Sequence, residues 1–361
     1  MSTVTERVDA GPLLAGYVQA GLALDRAQRT LAHPDSSALI EENGLVCWRF
    51  LPWDSAQFGF PAARLEFLLA RQDDALRSLL NTALEQARER GIRHMIARLD
   101  VHDLPAIHAL EASGFELIDG IQTYALTLDC ASHRLNSVPS QPQARATGSL
   151  CKSVADGDTA GSRPRPFSRV QRVVYSPEGS SPSRSGCLFC EGLASGFLQS
   201  PRKPGGTDFS LCTRLFQEQD LPQILQIAGS SYSHDRFHAD ETLDSETADR
   251  IHREWLRNSC NGTMADAVIV AVRGDLVLGY VTCKLDREAL SGSIEMVATT
   301  SGERGRGVAM SCTLAALDWF RSQNTQVVEV GTQLRNIAAS RLYEKCGFRL
   351  VSNSLTLRKV F

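Results

Sequence analysis

Arg304-Gly305-Arg306-Gly307-Val308-Ala309 follows a β-type run, Ile294 to Thr299, and opens a helical run, Val308 to Phe320. A glycine-rich turn between strand and helix points several backbone N–H groups at one spot. The positive end of the helix dipole reinforces them, so the turn is a seat for phosphate. Glycine suits it because a Cβ would obstruct close approach or a positive φ. Arg304 and Arg306 add mobile positive charge. No Gly-Lys-Ser/Thr follows, and the third glycine of a dinucleotide fingerprint is missing, which excludes both of those phosphate loops.

Working outward, Val327-Val328-Glu329-Val330 reads as a second strand. Asn336 reads as the N-cap of a helix whose Ala338, Leu342 and Cys346 share a face, and Gly347 as its C-terminal stop. Phe348-Arg349-Leu350-Val351 begins another strand. The order is strand, phosphate loop, helix, strand, Asn-capped helix, Gly-Phe, strand.

In this order the chain resembles the GNAT acetyltransferase superfamily. Arg304, Gly307 and Ala309 fall on the fixed positions of its pyrophosphate loop. Asn336, Ala339, Leu342, Tyr343, Gly347 and Phe348 fall on its later Asn-x-x-Ala-x-x-Leu-Tyr-x-x-x-Gly-Phe element. The resemblance implies acetyl-CoA as acyl donor, bound by Arg304, Gly305, Arg306, Gly307, Val308, Ala309, Val297 and Asn336. It implies Tyr343 as the acid that protonates the thiolate and Glu295, on the strand before the loop, as base. A solvated Glu295 and a purely capping Asn336 stand as alternatives, and His234 and His238 are further candidate bases.

The chain has 361 residues, a formal net charge of −3 and ten cysteines. That length suggests two domains. The charge gives no electrostatic argument for nucleic acid. Scattered cysteines in apolar runs read as reduced thiols, hence a cytoplasmic protein. Cys187-x-x-Cys190 lacks a partner pair, so no metal is expected. No apolar run reaches 18 residues, so no membrane span is expected.

Four segments are expected. Residues 1–39 form an extension with a short helix in Ala10 to Leu24. Residues 40–130 read as α/β. Residues 131–207 are rich in Ser, Pro, Arg and Gly, with basic residues outnumbering acidic ones ten to four; they read as a disordered linker or insertion, with a gene-prediction artefact as the other reading. Residues 208–361 form the acetyltransferase domain. The two ordered parts hold a repeat: Ala109 to Ile118 echoes Leu342 to Val351, with Leu110 opposite Tyr343 and Asp103 opposite Asn336. The first copy has Asp73-Asp74 where the phosphate loop would stand. The expected fold is therefore a mixed α/β sheet of tandem GNAT-like domains, a degenerate N-terminal half and an active C-terminal half.

Trp53-Asp54-Ser55 with Phe58-Gly59 resembles the N-terminal signature of bacterial dTDP-fucosamine acetyltransferases, although Gln57 stands where that family has Phe. Asp235-Arg236-Phe237 echoes their Asp-Ser-Arg-Phe loop. This resemblance implies a nucleotide-linked amino sugar as acceptor, with Arg236 and Phe237 binding it. The alternatives are a protein or other small-molecule amine as acceptor, and a non-catalytic acyl-CoA-binding regulator. A homodimer is compatible with either.

Overall fold

The computed structural model describes residues 24–128 and 210–361. The segment 131–207, the Cys187/Cys190 pair and all but the last residue of the Ala10–Leu24 run lie outside them.

The first half runs α1 (Leu24–Leu31), β1 (Ser36–Glu41), β2 (Gly44–Phe50), α2 (Pro52–Phe58), β3 (Ala62–Ala70), α3 (Asp73–Glu89), β4 (His94–Asp100), α4 (Leu104–Ala112) and β5 (Glu116–Thr127). The second runs β6 (Cys212–Leu215), α5 (Leu221–Ser231), α6 (Arg236–Ala239), α7 (Ser245–Cys260), β7 (Ala267–Arg273), β8 (Leu276–Asp286), β9 (Ser291–Thr299), α8 (Val308–Ser322), β10 (Val327–Gln333), α9 (Ile337–Lys345) and β11 (Arg349–Val360). No helix among the described residues is long and apolar enough to cross a membrane.

All the strands join one mixed sheet, ordered β1-β2-β3-β4-β11-β5-β10-β9-β8-β7-β6. Among the described residues only β3 with β4 and β9 with β10 pair in parallel. The halves exchange their last strands. β11 lies between β4 and β5, and β5 pairs with β10. Burial follows the exchange. Leu357 of β11 is fully buried in the core built on Leu76, Leu79, Leu80 and Ala83 of α3. Tyr124 of β5 is buried with Phe320 and Val330 of the second half. Neither core closes without a strand from the other half.

The repeat is exact in its turns. Asp103 accepts from the Ala106 N–H, and Asn336 accepts from the Ala339 N–H. Gly114 and Gly347 end the two helices at φ 82° and 94°, the left-handed geometry that glycine adopts without strain. Phe115 N–H then bonds Leu110 O, and Phe348 N–H bonds Tyr343 O, each at 3.0 Å.

The repeat extends to the strands. In β3, Leu65 pairs with Trp48 and Phe67 with Cys47, leaving Glu66 as the extra residue of a bulge. In β9, Ile294 pairs with Cys283 and Met296 with Thr282, leaving Glu295 in the same role. The parallel ladders end just before these residues, at Leu65–Ala97 and at Ile294–Val330.

A buried network spans the halves on the face away from α3. Asp240 Oδ2 lies 2.7 Å from His94 Nε2 on β4, and its Oδ1 accepts from Arg358 of β11 at 2.6 Å. These hydrogen bonds hold the Asp240 carboxyl well below the ordinary carboxylate range despite its burial.

Candidate active site

The site begins where β9 and β10 part. They pair from Ser291–Val327 to Ile294–Val330, yet β9 runs on to Thr299 and β10 to Gln333. A bulge adds a residue to one strand, bends it and increases its twist. The bulge at Glu295 coincides with the point of divergence. It also switches faces: Ile294 packs with α8, whereas Met296 packs with α5 and α7. The edge of β9 that carries Val297 thus faces a gap rather than a ladder partner among the described residues.

At the far end of β9 the chain turns through residues 300–307 into α8. Gly305 has φ 76°, and Gly307, which caps the helix, has φ 86°. No described acceptor takes the N–H groups of Gly305, Gly307, Val308, Ala309 or Met310. The first N–H groups of any helix lack internal partners, and here the left-handed glycines add two more. This is an anion seat beside the strand gap. Arg304 is exposed, with no acidic partner among the described residues. Arg306 lies 3.4 Å from Glu303, which Arg273 also holds at 3.0 Å. In the first half, two residues separate β3 from α3, which opens with Asp73 and Asp74. Two carboxylates at a helix N-terminus satisfy the dipole internally and repel phosphate.

Glu295 accepts a hydrogen bond from the Ser293 hydroxyl. It keeps partial solvent access, but the surrounding protein pushes its carboxyl up to about 7, and Ser293 and Lys284 only partly oppose this. A carboxylate near 7 accepts a proton from an amine far better than one near 4. Glu66 has a different fate. It is 2% exposed, with Arg49 Nε at 3.0 Å and Arg64 at 2.7 Å. The bulge glutamate of the first half is locked between two guanidinium groups.

Tyr343 lies in α9, buried against Tyr124 and Phe348 at ring-centroid distances of 6.1 and 5.9 Å. Its hydroxyl has no hydrogen-bond partner among the described residues, and burial keeps it protonated well above the ordinary phenol range. Leu110 takes its place in the first half. Asn336 caps α9 through Oδ1, which leaves its amide N–H₂ available.

The segment 230–240 contains the short helix α6, capped by Asp235. Arg236 stacks on Phe237 at 4.3 Å and donates to Asp54 of α2 at 3.2 Å. Phe237 is 4% exposed, packed with Trp53, Phe58 and Ile251. Arg250 adds hydrogen bonds to the carbonyl and side chain of Gln57, each at 2.8 Å. Residues 53–58 of the first half therefore grip Arg236, Phe237 and Arg250 of the second. His234 is exposed, and His238 is bonded to Asp235 at 2.7 Å.

Of the residues expected at the site, Glu295 lies at the bulge where β9 leaves β10, the loop follows β9, and Asn336 and Tyr343 lie at the start of α9 and within it, after β10. Sequence reasoning missed the Asp54–Arg236 link, because no local pattern pairs residues so far apart. It also missed the equivalence of Glu66 and Glu295, for which a signal existed: Leu65-Glu66-Phe67 and Ile294-Glu295-Met296 share an apolar-Glu-apolar pattern.

Residues 222–348 match the acetyltransferase (GNAT) family model. The chain is 31% identical over 130 residues to the spore coat polysaccharide biosynthesis protein SpsD of Bacillus subtilis, covering 36% of this chain and 44% of that one. It is 27% identical over 143 residues to a dTDP-fucosamine acetyltransferase of Escherichia coli, covering 39% and 60%. It thus spans about half the length of these curated relatives. A tandem GNAT protein from the clavulanic acid biosynthesis pathway superposes with a TM-score of 0.51 at 13% identity, over 98% of this chain and 96% of that one; at that identity the likeness concerns the fold. The family match thus places a GNAT acetyltransferase domain within residues 222–348 of this chain.

Proposed function

We propose that this protein transfers acetyl from acetyl-CoA to the amino group of a nucleotide-linked amino sugar of the dTDP-4-amino-4,6-dideoxyhexose type. The parting of β9 from β10 at the Glu295 bulge, beside a loop of unsatisfied N–H groups, carries this reading. The loop Arg304 to Ala309 seats the pyrophosphate, with the Asn336 amide nearby, and the pantetheine lies in the gap. The Val297 backbone polarises the thioester carbonyl as an oxyanion site. Glu295 takes a proton from the acceptor ammonium, directly or through water. The amine nitrogen attacks the thioester carbon, the C–S bond breaks, the Tyr343 hydroxyl protonates the leaving thiolate, and the second proton lost by the nitrogen restores the Tyr343 hydroxyl.

The acceptor class rests on the two sugar-related relatives and on the Trp53-Asp54-Ser55 element, whose Asp54 holds Arg236 at the acceptor side. Arg236 and Phe237 act there on acceptor affinity. The test is thiol release from acetyl-CoA with a panel of amino-sugar nucleotides and peptide amines. Turnover confined to the sugar nucleotides supports the proposal. Turnover of peptides alone moves the acceptor to protein, and coenzyme A binding with no turnover points to a regulator.

A further inference from the structure

Asp235, His238 and His252 bring three metal-ligating atoms within 4.8 Å of one another, where the acceptor-side loop meets α7. His238 Nδ1 lies 2.7 Å from Asp235 Oδ2, and His252 Nε2 lies 3.7 Å from the same oxygen. Asp235 and His252 are buried and His238 is half-buried.

Each ligand is oriented by a partner behind it. Asp235 Oδ1 accepts the N–H groups of Phe237 and His238 at 2.7 and 3.2 Å, which leaves Oδ2 for the site. His252 Nδ1 lies 2.8 Å from the Ala248 carbonyl. A carbonyl only accepts, so Nδ1 carries the ring proton of the neutral imidazole and Nε2 presents a lone pair. That lone pair faces a carboxylate oxygen, an arrangement that calls for a cation between them. His238 Nε2 lies 3.3 Å from Asp249 Oδ1. A carboxylate behind the far nitrogen is the usual support of a metal-bound histidine.

We propose that Asp235, His238 and His252 form a zinc site with one open position, which ties the acceptor-side loop to α7. Two imidazoles and a carboxylate suit zinc better than calcium or magnesium, which prefer all-oxygen sets. The metal takes the place of the proton on His238 Nδ1. The readout of this site is metal binding rather than turnover, so its failure is distinguishable from failure of the proposed acetyl transfer.

The test is a cobalt(II) titration of the untagged full-length chain, stripped with chelator and followed by visible absorption. We expect saturation at one equivalent per chain and displacement of the signal by zinc. His252→Gln should abolish stoichiometric binding, and His238→Gln, at a half-buried position, should do so with the fold retained by circular dichroism. Asp249→Asn should weaken binding about tenfold, as loss of a supporting carboxylate does. No saturable signal from folded wild type, or equal binding by wild type and folded His238→Gln, would overturn the assignment.

Discussion

Glu66 and Glu295 occupy the same place in the two halves of one sheet, each the extra residue of a bulge where a parallel strand pair ends. Their surroundings differ. Arg49 and Arg64 neutralise Glu66, whereas Glu295 faces the Ser293 hydroxyl. One fold thus holds one glutamate between two guanidinium groups and leaves the other poised near neutrality.

Glu295 ties activity to pH. A base must be ionised, so kcat should rise with pH through about 7. Glu295→Gln should flatten that limb and lower kcat by roughly 10²- to 10⁴-fold. Stability moves the other way. The folded carboxyl lies above its ordinary value of 4.5, so between 4.5 and 7 the unfolded chain ionises first and stability falls. Urea unfolding should find Glu295→Gln gaining on wild type across that window, and level with it below.

Tyr343→Phe separates chemistry from packing. The hydroxyl has no partner among the described residues, and the ring packs on Tyr124 and Phe348. The variant should melt at the wild-type temperature by circular dichroism while kcat falls roughly 10²-fold or more. Full kcat would remove Tyr343 as the acid.

Asp54 holds Arg236, the residue proposed to bind the acceptor, by a hydrogen bond at 3.2 Å. Asp54→Asn should lower kcat/KM for the acceptor by roughly tenfold or more through misplacement of the loop. Acetyl-CoA affinity, measured by calorimetry, should not change.

Asp240 joins β4 to β11 across the halves. Asp240→Ala leaves the buried Arg358 with Glu116 alone and should cost about 3–5 kcal/mol in chemical unfolding, as breaking a buried ion pair does. Because the halves exchange strands, both cores should unfold in one transition. The Asp240 contribution is present above pH 3.8, the ordinary value, and is lost as pH falls toward the lower folded value.

Much of this was legible in the sequence because it is written locally. The Asn336 cap, the Gly347 stop, the loop glycines and the stripe from Leu76 to Ala87 each declare themselves within a few residues. The Ser36–Glu41 strand, which the turn Glu42-Asn43 joins to β2, was missed. Helix α2 and helix α6 are too short for apolar periodicity to register. The strand exchange was hidden for another reason: β5 and β11 carry the same alternation whichever neighbour they pair with. The partner is chosen by packing, as Leu357 and Tyr124 reveal.

Acetyl-CoA titration by calorimetry tests most directly the arrangement of one working half and one supporting half. One equivalent per full-length chain is predicted, and it should be lost when Gly307, at φ 86°, is replaced by valine in a chain that still folds. Two equivalents per chain, or one equivalent that survives Gly307→Val, would contradict it.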